Sequence, residues 1–397
     1  MRPLLLRGGR SAHIMTTTGR RSGVASTRGY TRPAPLASEY HERDYDYAEH
    51  LARVEPILQA QREAAARMPA EQRAVLPPPL PPLRDDEDDE DEDEEDDERA
   101  PCPPADDANN AWETFFREHS TARFFRERRY FPLAFPALAR ASSVLEIGAG
   151  AGAALLPVLR ASRSSRVVAT DVSASSLAQL RRAASEALGG EEEAGRRVST
   201  AVADGAAETE AFVGAVERAL LRRSRRREGD GDERGGRPAV AVRGAFDAVI
   251  LAFTLSAVPP GDAMRRMLRN AAACLKPGTG VLCLRDHAVG DLVQLRIPPE
   301  QMVRGREREH TYVRGDGTLA HFFSPAELDR LAGEAGFEVA GTGGGDGPGE
   351  RRQDQEPAQG RARVACVFNR NRRTGQELRR AFVTATFVRR REEGGGE

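Results

Sequence analysis

Lysine is nearly missing from this 397-residue chain: Lys276 stands alone, and arginine supplies the other 58 basic residues. Alongside many alanines and glycines, that skew is the imprint of a GC-rich coding sequence, so arginine abundance alone says little about partners. Cysteine is scarce too. Cys102, Cys274, Cys283 and Cys366 are scattered without a Cys-x-x-Cys pair, which indicates neither a disulfide framework nor a metal site. No apolar run is long enough to cross a bilayer, so no membrane partner is expected. Aromatic residues make up 6%, with one tryptophan.

What is present is unevenly spread. The formal charge of −2 conceals 14 consecutive acids at 85–98, without which the rest of the chain would carry +12. A basic body fits a polyanionic partner, or simply a solvated surface. The acidic run cannot bury enough apolar surface to fold and reads as a disordered linker. Residues 1–38 hold seven arginines and no acid, the composition of an organellar transit peptide or of a disordered tail. A cytoplasmic and an organellar location (mitochondrial or plastid) both remain open. Residues 39–76 read as a helical segment and 77–108 as a proline-rich, acidic linker. The folded domain is expected over 109–390, with low-complexity insertions near 222–237 and 341–360.

Within that domain strands and helices alternate, the pattern of a parallel sheet with crossover helices. Strands are predicted at 143–147, 166–170, 198–202, 246–252 and 280–285, and helices near 152–161, 174–188 and 262–274. The amphipathic stretch 211–221, and two alternating strands at 364–368 and 381–388, complete the reading. Val144-Leu145-Glu146-Ile147 followed by Gly148-Ala149-Gly150-Ala151-Gly152 is a buried strand running into a glycine turn. Such a turn lets backbone approach a ligand that side chains would exclude. A second strand ends at Asp171, 23 residues after Gly148, where a carboxylate can accept from ribose hydroxyls. A hydride-transferring dinucleotide enzyme would share these features. Glu146 before the first glycine, the alternate glycines and the later Leu275-Lys276-Pro277-Gly278 turn together resemble class I S-adenosylmethionine-dependent methyltransferases. That resemblance implies an α/β, Rossmann-like sheet of seven mostly parallel strands with helices on both faces.

Further motifs narrow it. Trp112-Glu113-Thr114-Phe115-Phe116, Arg123-Phe124-Phe125 with Arg128, Leu284-Arg285-Asp286, Tyr312-Val313-Arg314-Gly315-Asp316-Gly317-Thr318 and Phe322-Phe323-Ser324 resemble the tRNA N3-methylcytidine methyltransferases. The resemblance implies S-adenosylmethionine as cofactor and a cytidine of the tRNA anticodon loop as acceptor. It also leaves room for an aminoacyl-tRNA synthetase or another protein partner. Cofactor contacts are expected from Trp112, Phe116, Glu146, Gly148, Gly150, Asp171, Asp204, Gly205 and Ala252, although Asp204 also reads as a plain turn aspartate. Asp286 is the candidate to stabilise the cation formed on the base, or else a partner of Arg285 or Arg296. Arg128 joins it as a catalytic candidate. Phe125, Arg285, Arg296, Tyr312 and Arg314 are candidate RNA contacts. The sequence departs from the family pattern at Ala153, Tyr130 and Gly290, and at His287, where tyrosine is usual. Those departures keep two alternatives open: a methyltransferase acting on another RNA or a protein, and a catalytically weak RNA-binding subunit.

Overall fold

The computed structural model describes residues 35–76, 111–120, 126–228, 241–303, 305, 308–339, 360–370, 375 and 377–391. Most of the segment expected as a transit peptide or tail (up to residue 34), the acidic run and Phe125 lie outside the described residues. Helices α1 (Tyr47–Arg67), α2 (Ala111–Glu118), α3 (Phe131–Ala134) and α4 (Ala137–Arg140) precede strand β1 (Ser143–Ile147). Then come α5 (Leu155–Ala161), β2 (Arg166–Asp171), α6 (Ala174–Leu188), α7 (Glu191–Arg197), β3 (Val198–Val202) and α8 (Thr209–Glu228). They are followed by β4 (Ala248–Ala252), α9 (Asp262–Cys274), β5 (Val281–His287) and α10 (Leu292–Arg296). A hairpin of β6 (Thr311–Val313) and β7 (Leu319–His321) leads to α11 (Pro325–Glu334), β8 (Phe337–Glu338), β9 (Arg363–Arg370) and β10 (Glu377–Arg389).

The sheet runs β3-β2-β1-β4-β5-β10-β8, and β9 pairs with β10 as an eighth strand beside the seven expected. β1 to β5 are mutually parallel, while β10 lies antiparallel to β5, β8 and β9. Strands covered on both faces must be apolar throughout, and Val144, Leu145, Val249 and Ile250 are fully buried. One face packs on Phe212 and Val216 of α8, Met267 and Leu268 of α9 and Leu328 of α11. The other packs on Phe131, Leu138, Leu155, Leu159, Leu177 and Leu180. Helix α6 starts where the Ser173 side chain accepts from the Ser176 amide and stops at Gly189, with φ +89°, both favoured caps.

One boundary differs from expectation: residues 222–228 continue α8 instead of opening the insertion. The helical segment within 39–76 packs on the domain. Leu58 and Val54 of α1 are buried with Val289, Ile297, Met302 and Phe322, each such burial stabilising by roughly 1.5–3 kcal/mol. Ahead of α1 the chain crosses the sheet edge: the Asp44 amide donates to the Cys366 carbonyl at 2.8 Å, and the Cys366 amide donates to Glu42. Order reverses between β1 and β4, so their C-terminal ends open the crevice in which such sheets bind ligands.

Candidate functional site

The glycine turn leaves β1 with Gly148, Gly150 and Gly152 at φ +70°, +53° and +84°, a region L-residues rarely adopt. A Cβ on Gly148 would overlap Thr254, and one on Gly150 would lie 3.1 Å from the Phe116 ring. Asp171 holds this turn from β2: its Oδ2 accepts from the Gly150 amide at 2.8 Å and its Oδ1 from the Ser173 amide at 2.9 Å. Burial pushes its carboxyl pKa upward against those bonds.

Helix α2 lies across the turn. Phe116 is buried over Gly150, and its carbonyl accepts from Gln179 at 2.9 Å. Trp112 stands 6.2 Å from Phe116 between ring centroids. Glu113, not among the expected site residues, fastens the helix: its carboxylate accepts from the Ser173 hydroxyl at 2.7 Å and from the Ser175 amide and hydroxyl. Its three-residue distance from Phe116 in a helical stretch was the only clue. Glu146, 1% exposed, faces the same crevice, and its Oε2 has no partner. Burial raises its pKa to about 8, against the pull of Arg128.

On the far side, β4 ends at Ala252 and the chain turns at Phe253, the one described non-glycine residue with positive φ, at +63°. Its ring lies 4.6 Å beneath the Arg128 guanidinium, 5.2 Å from His287 and 5.5 Å from Phe382. Phe322 closes on His287 at 5.4 Å. Burial lowers the Arg128 pKa, while Glu146 and Asp286 support its charge. Arg314, its pKa also lowered by burial, feels Asp286 as well.

Asp286 is 1% exposed and bonded to backbone, its oxygens accepting from the Ser256 amide at 3.0 Å and the His287 amide at 2.8 Å. Burial raises its pKa to about 6. Its hydrogen-bond partners are therefore neither Arg285 nor Arg296. Two expected RNA contacts are corrected outright. Arg285, 2% exposed, is caged by Tyr40, Tyr130 and Phe382 and donates to the Tyr40 hydroxyl at 2.6 Å. Tyr312, 1% exposed, packs on Phe322 and accepts from Gln294, so no base can stack on it. Arg296 is exposed and Arg314 half-buried. Asp204 accepts from the Ala206 amide at 2.8 Å, the turn aspartate of the alternative reading. Gly205 fits because a Cβ there would overlap Ile147.

An unpartnered buried carboxylate oxygen beside a turn too tight for side chains suits a ligand with a cationic head and a slim backbone-hugging body. Asp171 at the end of β2 suits its hydroxyls. Among the described residues no cluster of metal-ligating side chains occurs, and no helix is long and apolar enough to cross a membrane.

Residues 116–341 match the family described as Methyltransferase domain. The human tRNA N(3)-cytidine methyltransferase METTL2B is 44% identical over 96 residues, 24% of either chain. The mouse tRNA N(3)-cytidine methyltransferase METTL6 is 42% identical over 94 residues, 24% of this chain and 31% of that one. The Drosophila melanogaster tRNA N(3)-methylcytidine methyltransferase Mettl2 is 29% identical over 243 residues, 58% of this chain and 62% of that protein. The matched stretches thus span about a quarter to three-fifths of those relatives. With the family match running over more than half of its length, the chain belongs to the methyltransferase-domain family.

Proposed function

We propose that this chain is an S-adenosylmethionine-dependent methyltransferase that forms 3-methylcytidine in the anticodon loop of tRNA. The observation that carries the cofactor is the unpartnered Glu146 oxygen beside the glycine turn. When bound, the sulfonium supplies an electrophilic methyl group. Glu146 would receive the ammonium, Asp171 the ribose hydroxyls, and Trp112 and Phe116 would cover the crevice and exclude water, fixing the in-line geometry that displacement needs.

The acceptor follows from the names of the relatives and from the wall opposite. Cytosine N3 has a free lone pair, so no general base is required. The base nitrogen takes the methyl group, the carbon–sulfur bond breaks with its electrons left on sulfur, and the ring gains the positive charge. Phe253, half-buried at the end of β4 with a left-handed backbone, would offer a stacking face for an unpaired base. Asp286 stands behind Arg128 and Arg314, offsetting their charge beside a ring that becomes cationic. Arg128 lies as a cation above Phe253, where it would contact the acceptor. Nucleoside analysis of tRNA from cells lacking the protein tests the reading. Loss of 3-methylcytidine is expected; an unchanged level in every tRNA overturns it.

A further inference from the structure

His287 is the least explained polar residue of the acceptor wall. It ends β5. Its Nδ1 is buried and has no hydrogen-bond partner. Aromatic rings surround it: Phe253 at 5.2 Å, Phe322 at 5.4 Å and Phe382 at 6.2 Å. A buried nitrogen left unpaired costs roughly 1–3 kcal/mol, and nothing in the described protein repays it.

The charges around the ring decide its protonation. Arg128 faces it from the segment before α3, Arg314 from the β6–β7 hairpin and Arg380 from β10. Asp286, next in sequence, spends its oxygens on the Ser256 and His287 amides. Burial and the three guanidinium groups hold the imidazole pKa well below its ordinary value, so the ring is neutral at physiological pH. A neutral imidazole presents one N–H and one lone pair. Arg380 is occupied by Asp291 at 2.9 Å and so leaves the histidine edge free.

The location ties this atom to the reaction. Phe253 is followed by Thr254, whose hydroxyl donates to the Gly148 carbonyl of the glycine turn at 3.2 Å. The aromatic wall and the cofactor cradle are therefore joined through two consecutive residues. A flat heteroaromatic ring against Phe253, with its reacting nitrogen toward the cradle, would turn its neighbouring exocyclic group toward the His287 edge, where Nδ1 lacks a partner.

Resting on the proposed function, we infer that His287 carries its proton on Nε2 and that its Nδ1 accepts a hydrogen bond from the exocyclic amine of the acceptor base, making His287 the residue that selects an aminopyrimidine over an oxopyrimidine. Uracil would set its O4 lone pairs against the Nδ1 lone pair and leave both unpaired, the arrangement that polar sites reject most strongly. The amine also carries part of the charge developed on methylation, so the same bond strengthens as the reaction proceeds.

The test is a double perturbation with the full-length protein. Wild type, His287→Phe and His287→Gln are assayed on anticodon-loop RNAs whose acceptor is cytidine or its analogue lacking the 4-amino group, and cofactor affinity is measured by calorimetry. Removing the amine should lower wild-type kcat/KM about 10- to 30-fold, the size of one buried hydrogen bond. His287→Phe should lose that factor on cytidine and nothing further on the analogue. His287→Gln, whose carbonyl can accept, should recover part of it. Cofactor affinity should stay within about twofold in both variants. Losses by His287→Phe that are equal on the two acceptors overturn the inference alone. A wild type that binds cofactor yet methylates no RNA overturns the functional reading and this inference together.

Discussion

At the end of β2 both Asp171 oxygens are engaged by neighbouring amides, whereas Glu146 Oε2 and His287 Nδ1, facing the crevice from β1 and β5, have no partner. The first region is set before any ligand arrives. The second carries desolvated polar atoms and a strained Phe253 backbone, costs that persist only where surrounding packing enforces them. The contrast separates a scaffold that shapes the crevice from groups kept in reserve for what enters it.

The strongest way to break that comparison is Asp171→Ala, which removes the turn's anchor and the hydroxyl acceptor at once. Cofactor affinity by calorimetry should fall about 100-fold or more, the scale of charge-assisted hydrogen bonds lost together. Unchanged affinity would place the cofactor elsewhere. Gly148→Ala sharpens the steric side. Its new Cβ would meet Thr254 at a φ of +70°, while Gly189→Ala meets nothing within 4 Å at φ +89°. Chemical denaturation should show a loss of about 1–2 kcal/mol for Gly189→Ala, the backbone term alone, and about 2–4 kcal/mol for Gly148→Ala.

Glu146→Gln probes the reserved charge. Its folded pKa is raised from 4.5 to about 8. The native state therefore holds the proton more tightly than the unfolded chain, and the stability this gives is present below pH 4.5 and lost as pH rises toward 8. The ligand-free glutamine variant should lack that slope, staying close to wild type near pH 5 and exceeding it by several kcal/mol at pH 8, with weaker cofactor binding throughout. Thermal melts across pH with and without cofactor decide it. The smallest effect is expected at the rim. Arg296→Ala should weaken tRNA binding only a few-fold, reduce its salt dependence and leave stability unchanged. Arg285→Ala should destabilise the fold by emptying its aromatic cage.

The sequence carried the scaffold region well. Strands 143–147 and 198–202 and helices 174–188 and 262–274 follow from unbroken apolar runs and local caps, and they occur at those bounds. Gly148, Gly150 and Asp171 were legible because their signals sit within a few residues of one another. The acceptor wall was not, since it is assembled across the chain. Arg285 reads as a free basic side chain until Tyr40 and Tyr130, from segments far earlier, close on it. Tyr312 reads as a stacking surface until α1 and Phe322 bury it. Phe253 gave no local warning of its left-handed backbone, which the Arg285 carbonyl fixes by accepting from the Phe253 amide at 2.8 Å.

The most direct measurement incubates the full-length protein with methyl-labelled S-adenosylmethionine and unmodified tRNA, then digests the RNA and identifies the labelled nucleoside by mass spectrometry. The account predicts label in 3-methylcytidine, lost when Asp171 is replaced by alanine. Label in a different nucleoside, or none while the cofactor binds, would contradict it.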